Sequence, residues 1–312
     1  MGLTNFTLFI SSTLFGRLSD LYGRKIFILL GLLLSGVVLF FHTCISNLPT
    51  LFLLRGLAGF SIGIIPPVFL SYLYERGGSL GKFTGLGSLG WGIGSIMAGL
   101  LKDFHRVFLF SSGAFLLSFL FTLPLKEVKT KIKVPPLSLR LIRKNLGVYL
   151  GFLLRHTGAF AVWAIFPLYL KSIGADRFWI GIIYAVNPFF QFIFMNYLDR
   201  YRGKRLISWG LLFSSITFLL FSLSSHHYEV LPVQIILALS WSCLYLGSLK
   251  YLMERNIERG TATGIFNSLS GLSGMIGPFL GGFVGVFGYK IVMVFAMSLS
   301  LLGLIVWIIL KD

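Results

Sequence analysis

Three side chains sit where charge is costly. Arg55, Arg155 and His156 lie inside long apolar runs, where a charged group costs about 2.5–3.5 kcal/mol on insertion scales. The acids are distributed differently. All ten (Asp20, Glu75, Asp103, Glu127, Asp176, Asp199, Glu229, Glu254, Glu258 and Asp312) fall in polar segments or at the ends of apolar runs. Buried cations without buried acids suit the capture of a carboxylate or phosphate. The two cysteines, Cys44 and Cys243, lie in different runs, and no D-D-x-x-D or similar metal-holding cluster occurs. No catalytic residue, metal or cofactor follows from these residues. Proton coupling has no carboxylate to carry it, which leaves His156 as the alternative, and the sequence names no coupling ion.

The elements that position these groups are membrane helices. The chain is 56% hydrophobic and 12% charged, against about 25% charged in soluble domains. Apolar runs fall at about 2–16, 26–45, 49–72, 82–101, 106–124, 146–170, 177–198, 206–224, 230–252, 261–285 and 289–310. Runs near 20 residues predict spanning helices and exclude a barrel of alternating ten-residue strands. The fold class is therefore an all-α polytopic membrane protein of about eleven transmembrane helices.

Of the 27 Lys and Arg residues, twenty fall on one side of these spans and five on the other. The richer side is read as cytoplasmic. That places the C-terminus inside and Met1 outside, in the cell membrane. The net charge of +17 is then a matter of topology, and the partners are a bilayer and a small solute, with no nucleic acid. Gly85-Leu86-Gly87-Ser88-Leu89-Gly90 spells G-x-G-x-x-G, but a dinucleotide site needs a preceding strand in a βαβ unit, and this one lies within an apolar run.

The basic stretch Lys126–Asn145, with Pro135-Pro136, divides the chain into an N-terminal half-bundle (1–124), a linker (125–145) and a C-terminal half-bundle (146–312). The halves repeat weakly. Tyr72-Leu73-Tyr74-Glu75-Arg76 recurs as Tyr251-Leu252-Met253-Glu254-Arg255, and Asp20 recurs as Asp199 at the same offset. Arg24-Lys25 recurs as Lys204-Arg205 and Gly85 as Gly264. Repeats of like orientation imply a pseudo-two-fold along the membrane normal.

Between the first two runs, Gly16-Arg17-Leu18-Ser19-Asp20-Leu21-Tyr22-Gly23-Arg24-Lys25 reads as a short charged turn. Its G-x-L-x-D-x-x-G-R-K pattern resembles the signature loop between helices 2 and 3 of the major facilitator superfamily of transporters. Leu54-Arg55-Gly56-Leu57-Ala58-Gly59 resembles the family's R-x-x-Q-G motif, with Ala58 in place of Gln. Ser273-Gly274-Met275-Ile276-Gly277-Pro278-Phe279-Leu280-Gly281-Gly282 resembles G-x-x-x-G-P-x-x-G-G. Drug/proton antiporters carry that last pattern in helix 5, whereas here it falls in helix 11.

The resemblance implies a secondary transporter working by alternating access, with the runs numbered as helices 2 to 12. Its alternatives are a shortened non-transporting membrane protein and a multidrug-type efflux permease. Helices 7 and 10 would line a central cavity, placing Arg155, His156, Trp163, Gln234 and Trp241 there, with Asn187 and Gln191 from helix 8 and Arg55 from helix 4. The ligand would be anionic or zwitterionic. The competing reading is that Arg155 pairs with backbone carbonyls or an acid, and that Arg55 snorkels outward. The resemblance also implies that Asp20 faces the N-terminus of helix 11 near Gly260-Thr261, and by the repeat that Asp199 faces the start of helix 5. Gly16, Gly23, Arg24, Gly277 and Pro278 would complete the gating set. The glycines of helices 5 and 11, Gly90/Gly94 and Gly277/Gly281 among them, are expected at close helix contacts. Met1–Phe15 would span about 22 Å as a helix, and the family's first helix is expected to be missing from this chain.

Overall fold

The computed structural model describes residues 2–128 and 139–311. Lys129, Lys131, Lys133 and Pro135-Pro136 of the expected linker lie outside the described residues, as do Met1 and Asp312. Among the described residues every regular element is helical. The elements are α1 (Gly2–Tyr22), α2 (Lys25–Phe41), a 3-10 turn (His42–Cys44), α3 (Leu48–Glu75), α4 (Leu80–Leu101), α5 (Phe104–Thr122) and α6 (Leu139–Lys144). They continue with α7 (Leu146–Ser172), α8 (Arg177–Leu198), α9 (Gly203–Leu223), α10 (His227–Arg255), α11 (Arg259–Gly285) and α12 (Tyr289–Leu310). Eleven of these are long, and α6 is a single short piece at the end of the linker. Nine of the long helices are long and apolar enough to cross a membrane among the described residues.

One boundary differs from the sequence reading. The stretch from Gly16 to Tyr22 is not a turn but the last part of α1. The helix is therefore about 32 Å long, enough for the hydrocarbon core. Arg17 and Asp20 interrupt the hydropathy of the run but not its backbone. The helix stops only at Gly23, whose φ of +106° is open to glycine and strained for other residues.

Contacts group the chain into two compact units. The first comprises Met1–Gly78, Ile93–Ile142 and Leu252–Leu272; the second comprises Ser79–Gly92, Arg143–Tyr251 and Ser273–Asp312. α4, α10 and α11 are thus each divided between units, α10 only in its last turn, as is the short α6.

In the first unit α1 lies along α3, and α2 lies against both α3 and α5. Water-free packing offers helices no hydrophobic reward, so close backbone approach and hydroxyl bonds hold them. Ser12 Oγ donates to the Gly63 carbonyl at 2.8 Å and Ser112 Oγ to the Gly36 carbonyl at 2.7 Å. α1 also meets the first half of α11: Thr13 and Ser268 hydroxyls are 2.6 Å apart, and Ser268 donates to the Phe9 carbonyl at 2.6 Å.

In the second unit α12 packs on α7 and α9, where Trp307 Nε1 donates to Ser208 Oγ at 2.9 Å. The apolar core runs through Phe166, Phe218, Phe221, Val230 and Met293. The second half of α11 closes on α7, and a Cβ at Gly281 would fall closer than 3.0 Å to the Ala161 backbone.

The helix-5 glycines divide: Gly85 and Gly92 approach α8, where a Cβ would come within about 3.1 Å of Asn196 or Pro188, but the others behave otherwise than expected. A Cβ on Gly87, Gly90, Gly94 or Gly99 of α4 would meet nothing within 4 Å. Their four-residue spacing makes no close contact in this structure, because α4 from Leu89 to Leu101 is largely exposed. The two helices therefore predict different mutant behaviour. Gly281→Val is expected to destabilise by about 1–3 kcal/mol or more, as overpacking does. Gly90→Val is expected to leave the thermal midpoint in place. Equal shifts in a thermal unfolding assay would contradict this packing.

Candidate functional site

α7 carries a buried stripe that includes Phe152, Arg155, His156 and Ala159. Only 2% of Arg155 is exposed. Its Nε donates to Ser214 Oγ of α9 at 2.8 Å, and Ser214 is 2.6 Å from Ser240 Oγ of α10. Its Nη1 is 3.5 Å from His156 Nδ1. The guanidinium stands 5.4 Å from the Trp241 ring and 5.7 Å from Phe218, within cation–π range. Among the described residues no carboxylate lies within ion-pair distance of it. Its bonds go to neutral groups, so its charge is solvated but not matched.

His156 is part of an aromatic column. It stacks on Phe152 at 4.7 Å and on Trp241 at 5.1 Å, and Trp241 stacks on Tyr245 at 5.0 Å. Phe152 sits one turn before His156, so it shares that face of α7. Ser214, Phe152 and Phe218 belong to this site but were not among the residues singled out from the sequence. The Phe152–His156 spacing was a usable signal; the register of α9 against α7 was not written in any local pattern.

A second polar group forms in the same unit. Ser88 Oγ donates to Gln191 Oε1 at 2.8 Å, Gln191 Nε2 donates to Asn187 Oδ1, and Asn187 Nδ2 donates to the Gln234 carbonyl at 3.3 Å. Gln234 Oε1 is buried without a partner, which is costly for an amide. Gln234 and Trp241 are seven residues apart on α10, so they lie on one face about 10 Å apart. Pro188 removes a backbone hydrogen bond beside Asn187. Trp163 lies seven residues along α7 from His156, edge-on to Phe166 at 5.2 Å beside the apolar core. Arg55 belongs to the first unit. It is exposed on α3, with its guanidinium 5.9 Å from the Phe108 ring.

The first unit holds a buried charge cluster at Asp20. One carboxylate oxygen accepts from Gly260 N at 2.9 Å, and the other from Thr261 N at 2.7 Å and Thr261 Oγ1 at 2.6 Å. These are first-turn amides of α11, which have no partner inside their own helix. Arg24 Nη2 lies 2.6 Å from Asp20 and 2.8 Å from Glu75. Burial opposes the Arg24 charge, but the Glu75 and Asp20 carboxylates outweigh it and hold the guanidinium above its usual value. Arg259 completes the cluster 3.8 Å from Glu75. Glu127, just past α5, accepts from the amides of Arg24 at 2.8 Å and Lys25 at 3.0 Å, capping α2. Gly16 is the close-approach point: a Cβ there would come closer than 3.0 Å to the Gly260 carbonyl and Gly264 Cα.

Asp199 of the second unit stands at the start of α4, where it accepts from Ser79 Oγ at 2.6 Å. Lys250 Nζ lies 3.6 Å from its carboxylate. This pair is partly exposed, with 26% of the Asp199 side chain accessible, so its ion pair contributes little, about 0–1 kcal/mol. Gly277 packs on α7, where a Cβ would come within 3.0 Å of the Thr157 carbonyl, and Pro278 lies inside α11. Asp199→Asn keeps an oxygen for Ser79 and is expected to lower the thermal midpoint only slightly. A loss as large as that of Asp20→Asn would contradict the difference in burial.

Comparison with known proteins supports this architecture. A family model described as Major Facilitator Superfamily matches residues 1–187 and again 148–312. The quinolone resistance protein NorA of Staphylococcus aureus is 23% identical over 323 residues, spanning 95% of this chain and 82% of that protein. The uncharacterized MFS-type transporter MJ1560 of Methanocaldococcus jannaschii is 24% identical over 321 residues, spanning 92% of this chain and 83% of that protein. The crystal structure of the human organic anion transporter MFSD10 (TETRAN) superposes with a TM-score of 0.78 at 18% identity, covering 98% of this chain and 83% of that one.

Proposed function

This chain belongs to the Major Facilitator Superfamily, and from that premise we propose that it carries a small organic anion, or a zwitterion with a carboxylate or phosphate, across the cell membrane. The observation that carries the proposal is Arg155: a buried guanidinium bonded to serine and histidine, matched by no carboxylate among the described residues. A guanidinium binds such anions through paired N–H donors. The Phe152–His156–Trp241–Tyr245 column supplies an apolar wall beside it. Asn187, Gln191 and the unpaired oxygen of Gln234 supply polar contacts for the rest of the solute. The name of the human structure, an organic anion transporter, agrees with this reading.

Transport proceeds by alternating access between the half-bundles 1–124 and 146–312. The face rich in Lys and Arg is cytoplasmic, and the C-terminus lies inside. Asp20 with Gly16, Gly23 and Arg24, and Asp199 with Ser79, form latches on that face; Gly277 and Pro278 lie where α11 meets α7. A carboxylate at a helix N-terminus is favoured by the helix dipole, and opening the face would break both contacts.

A second reading is multidrug-type export. The aromatic column and the resemblance to a quinolone resistance protein favour it. A panel of carboxylates, amino acids, phosphate esters and quaternary ammonium compounds, screened by thermal stabilisation of the purified protein, separates the two. Stabilisation confined to carboxylates, phosphates and zwitterions supports the anion reading; stabilisation by the cations alone would overturn it.

A further inference from the structure

We infer that the groove between the end of α8, α9 and α10 is a binding site for an anionic phospholipid. The groove is open along one side, offers about 240 Å³, and is lined by Tyr197, Tyr201, Trp209, Phe213, Leu239 and Cys243 among others. Its floor is apolar: Cys243 is fully buried, while Tyr197 and Trp209 stand exposed at 54% and 38%. On a membrane helix bundle such a slot suits an acyl chain, because its exposed lining is mostly ring and aliphatic surface.

The mouth of the groove selects the headgroup. Arg200, Arg202, Lys204 and Arg205 are all exposed within six residues of the α8–α9 connection. Arg200 stands against two of the lining rings: its guanidinium lies 3.7 Å from the Tyr197 ring centre and 5.2 Å from that of Tyr201. Arg205, Trp209 and Phe213 follow at four-residue spacing, so they form one stripe down α9, cation first and rings below. Basic segments beside membrane helices attract anionic headgroups. The two features together, a cationic rim over an aromatic slot, match a phosphodiester headgroup and its acyl chain.

The internal repeat argues that this arrangement is particular to its place. At the offset that aligns Asp20 with Asp199, Tyr197 and Arg200 correspond to Leu18 and Leu21; at the offset that aligns Arg24-Lys25 with Lys204-Arg205, Trp209 and Phe213 correspond to Leu29 and Leu33. The other half has leucines at these four positions, and of the groove's rings only Tyr201 recurs there, as Tyr22.

The test uses the full chain in nanodiscs, with phosphatidylglycerol or phosphatidylcholine carrying brominated acyl chains as the probe. Bromine quenches tryptophan on contact, and the difference between the wild type and Trp209→Phe isolates Trp209 among the six tryptophans. Trp209 is expected to be quenched several-fold more by brominated phosphatidylglycerol than by the same fraction of brominated phosphatidylcholine. Arg200→Gln with Arg205→Gln is expected to erase that preference while leaving quenching by phosphatidylcholine unchanged. Both arginines are exposed, so the double variant keeps its fold. Equal quenching by the two lipids, or a preference that survives the double variant, would overturn the site. Displacement of brominated phosphatidylglycerol by soluble glycerol phosphate would also overturn it, by assigning the rim to a free phosphate.

Discussion

Arg155→Gln is expected to abolish stabilisation by any anionic solute while leaving the unliganded protein at least as stable as the wild type. The two halves of that expectation have separate causes. Glutamine still reaches toward Ser214, whose hydroxyl now holds the guanidinium, and it removes a buried charge that no carboxylate matches among the described residues. The apo protein therefore loses nothing that burial had not already made costly. The ligand loses its charged partner, which costs about 2–5 kcal/mol when a buried charge pair is truncated, and each 1.4 kcal/mol is about tenfold in affinity. Thermal unfolding with and without the stabilising solute measures both. A large drop in apo stability with unchanged affinity would make Arg155 a packing residue.

Asp20→Asn is expected to loosen the contact between α1 and the start of α11. The carboxylate now satisfies two backbone amides and one hydroxyl of α11 and pairs with Arg24. Asparagine offers one oxygen and turns an N–H toward the other donor. Arg24, fully buried, would keep Glu75 as its one carboxylate partner among the described residues, beside the neutral Ser19 hydroxyl. Breaking a buried pair costs about 3–5 kcal/mol, enough to shift a two-state population more than a hundredfold. A cysteine at Ser268, placed in a background with Cys44 and Cys243 replaced by serine, reads this out. Ser268 is 1% exposed and bonded to α1, so maleimide labelling should rise at least tenfold in the Asp20→Asn background. An unchanged rate would rule out a latch.

The parts of this protein that were legible in its sequence are those set by composition along one helix. Span positions followed from apolar runs because lipid allows only helices with their backbone bonds satisfied internally. Arg155 stood out because a charge in such a run is costly. Asp20 and Asp199 were readable through the repeat and the resemblance. What failed was reading backbone from polarity: Arg17 and Asp20 looked like the end of a helix, yet the helix continues to Tyr22 and ends on the conformation of Gly23. Glycine spacing likewise fixed where a contact was possible, not whether one exists. Gly281 has its neighbour and Gly90 has none. Ser214 beside Arg155 and Trp241 beside His156 depend on how α9 and α10 slide along α7, which is set by packing across the whole unit and by no short pattern.

The central claim is that Arg155 lies on the path of a transported anion, and counterflow in proteoliposomes tests it most directly. Vesicles holding the purified chain and an excess of the unlabelled carboxylate or phosphate that best stabilises it are diluted into a trace of the labelled compound. Labelled solute should accumulate transiently above its external concentration, and vesicles carrying Arg155→Gln should show only the background of protein-free vesicles. Stabilisation by the solute with no counterflow in the wild type would contradict transport. Counterflow undiminished in Arg155→Gln would contradict the site.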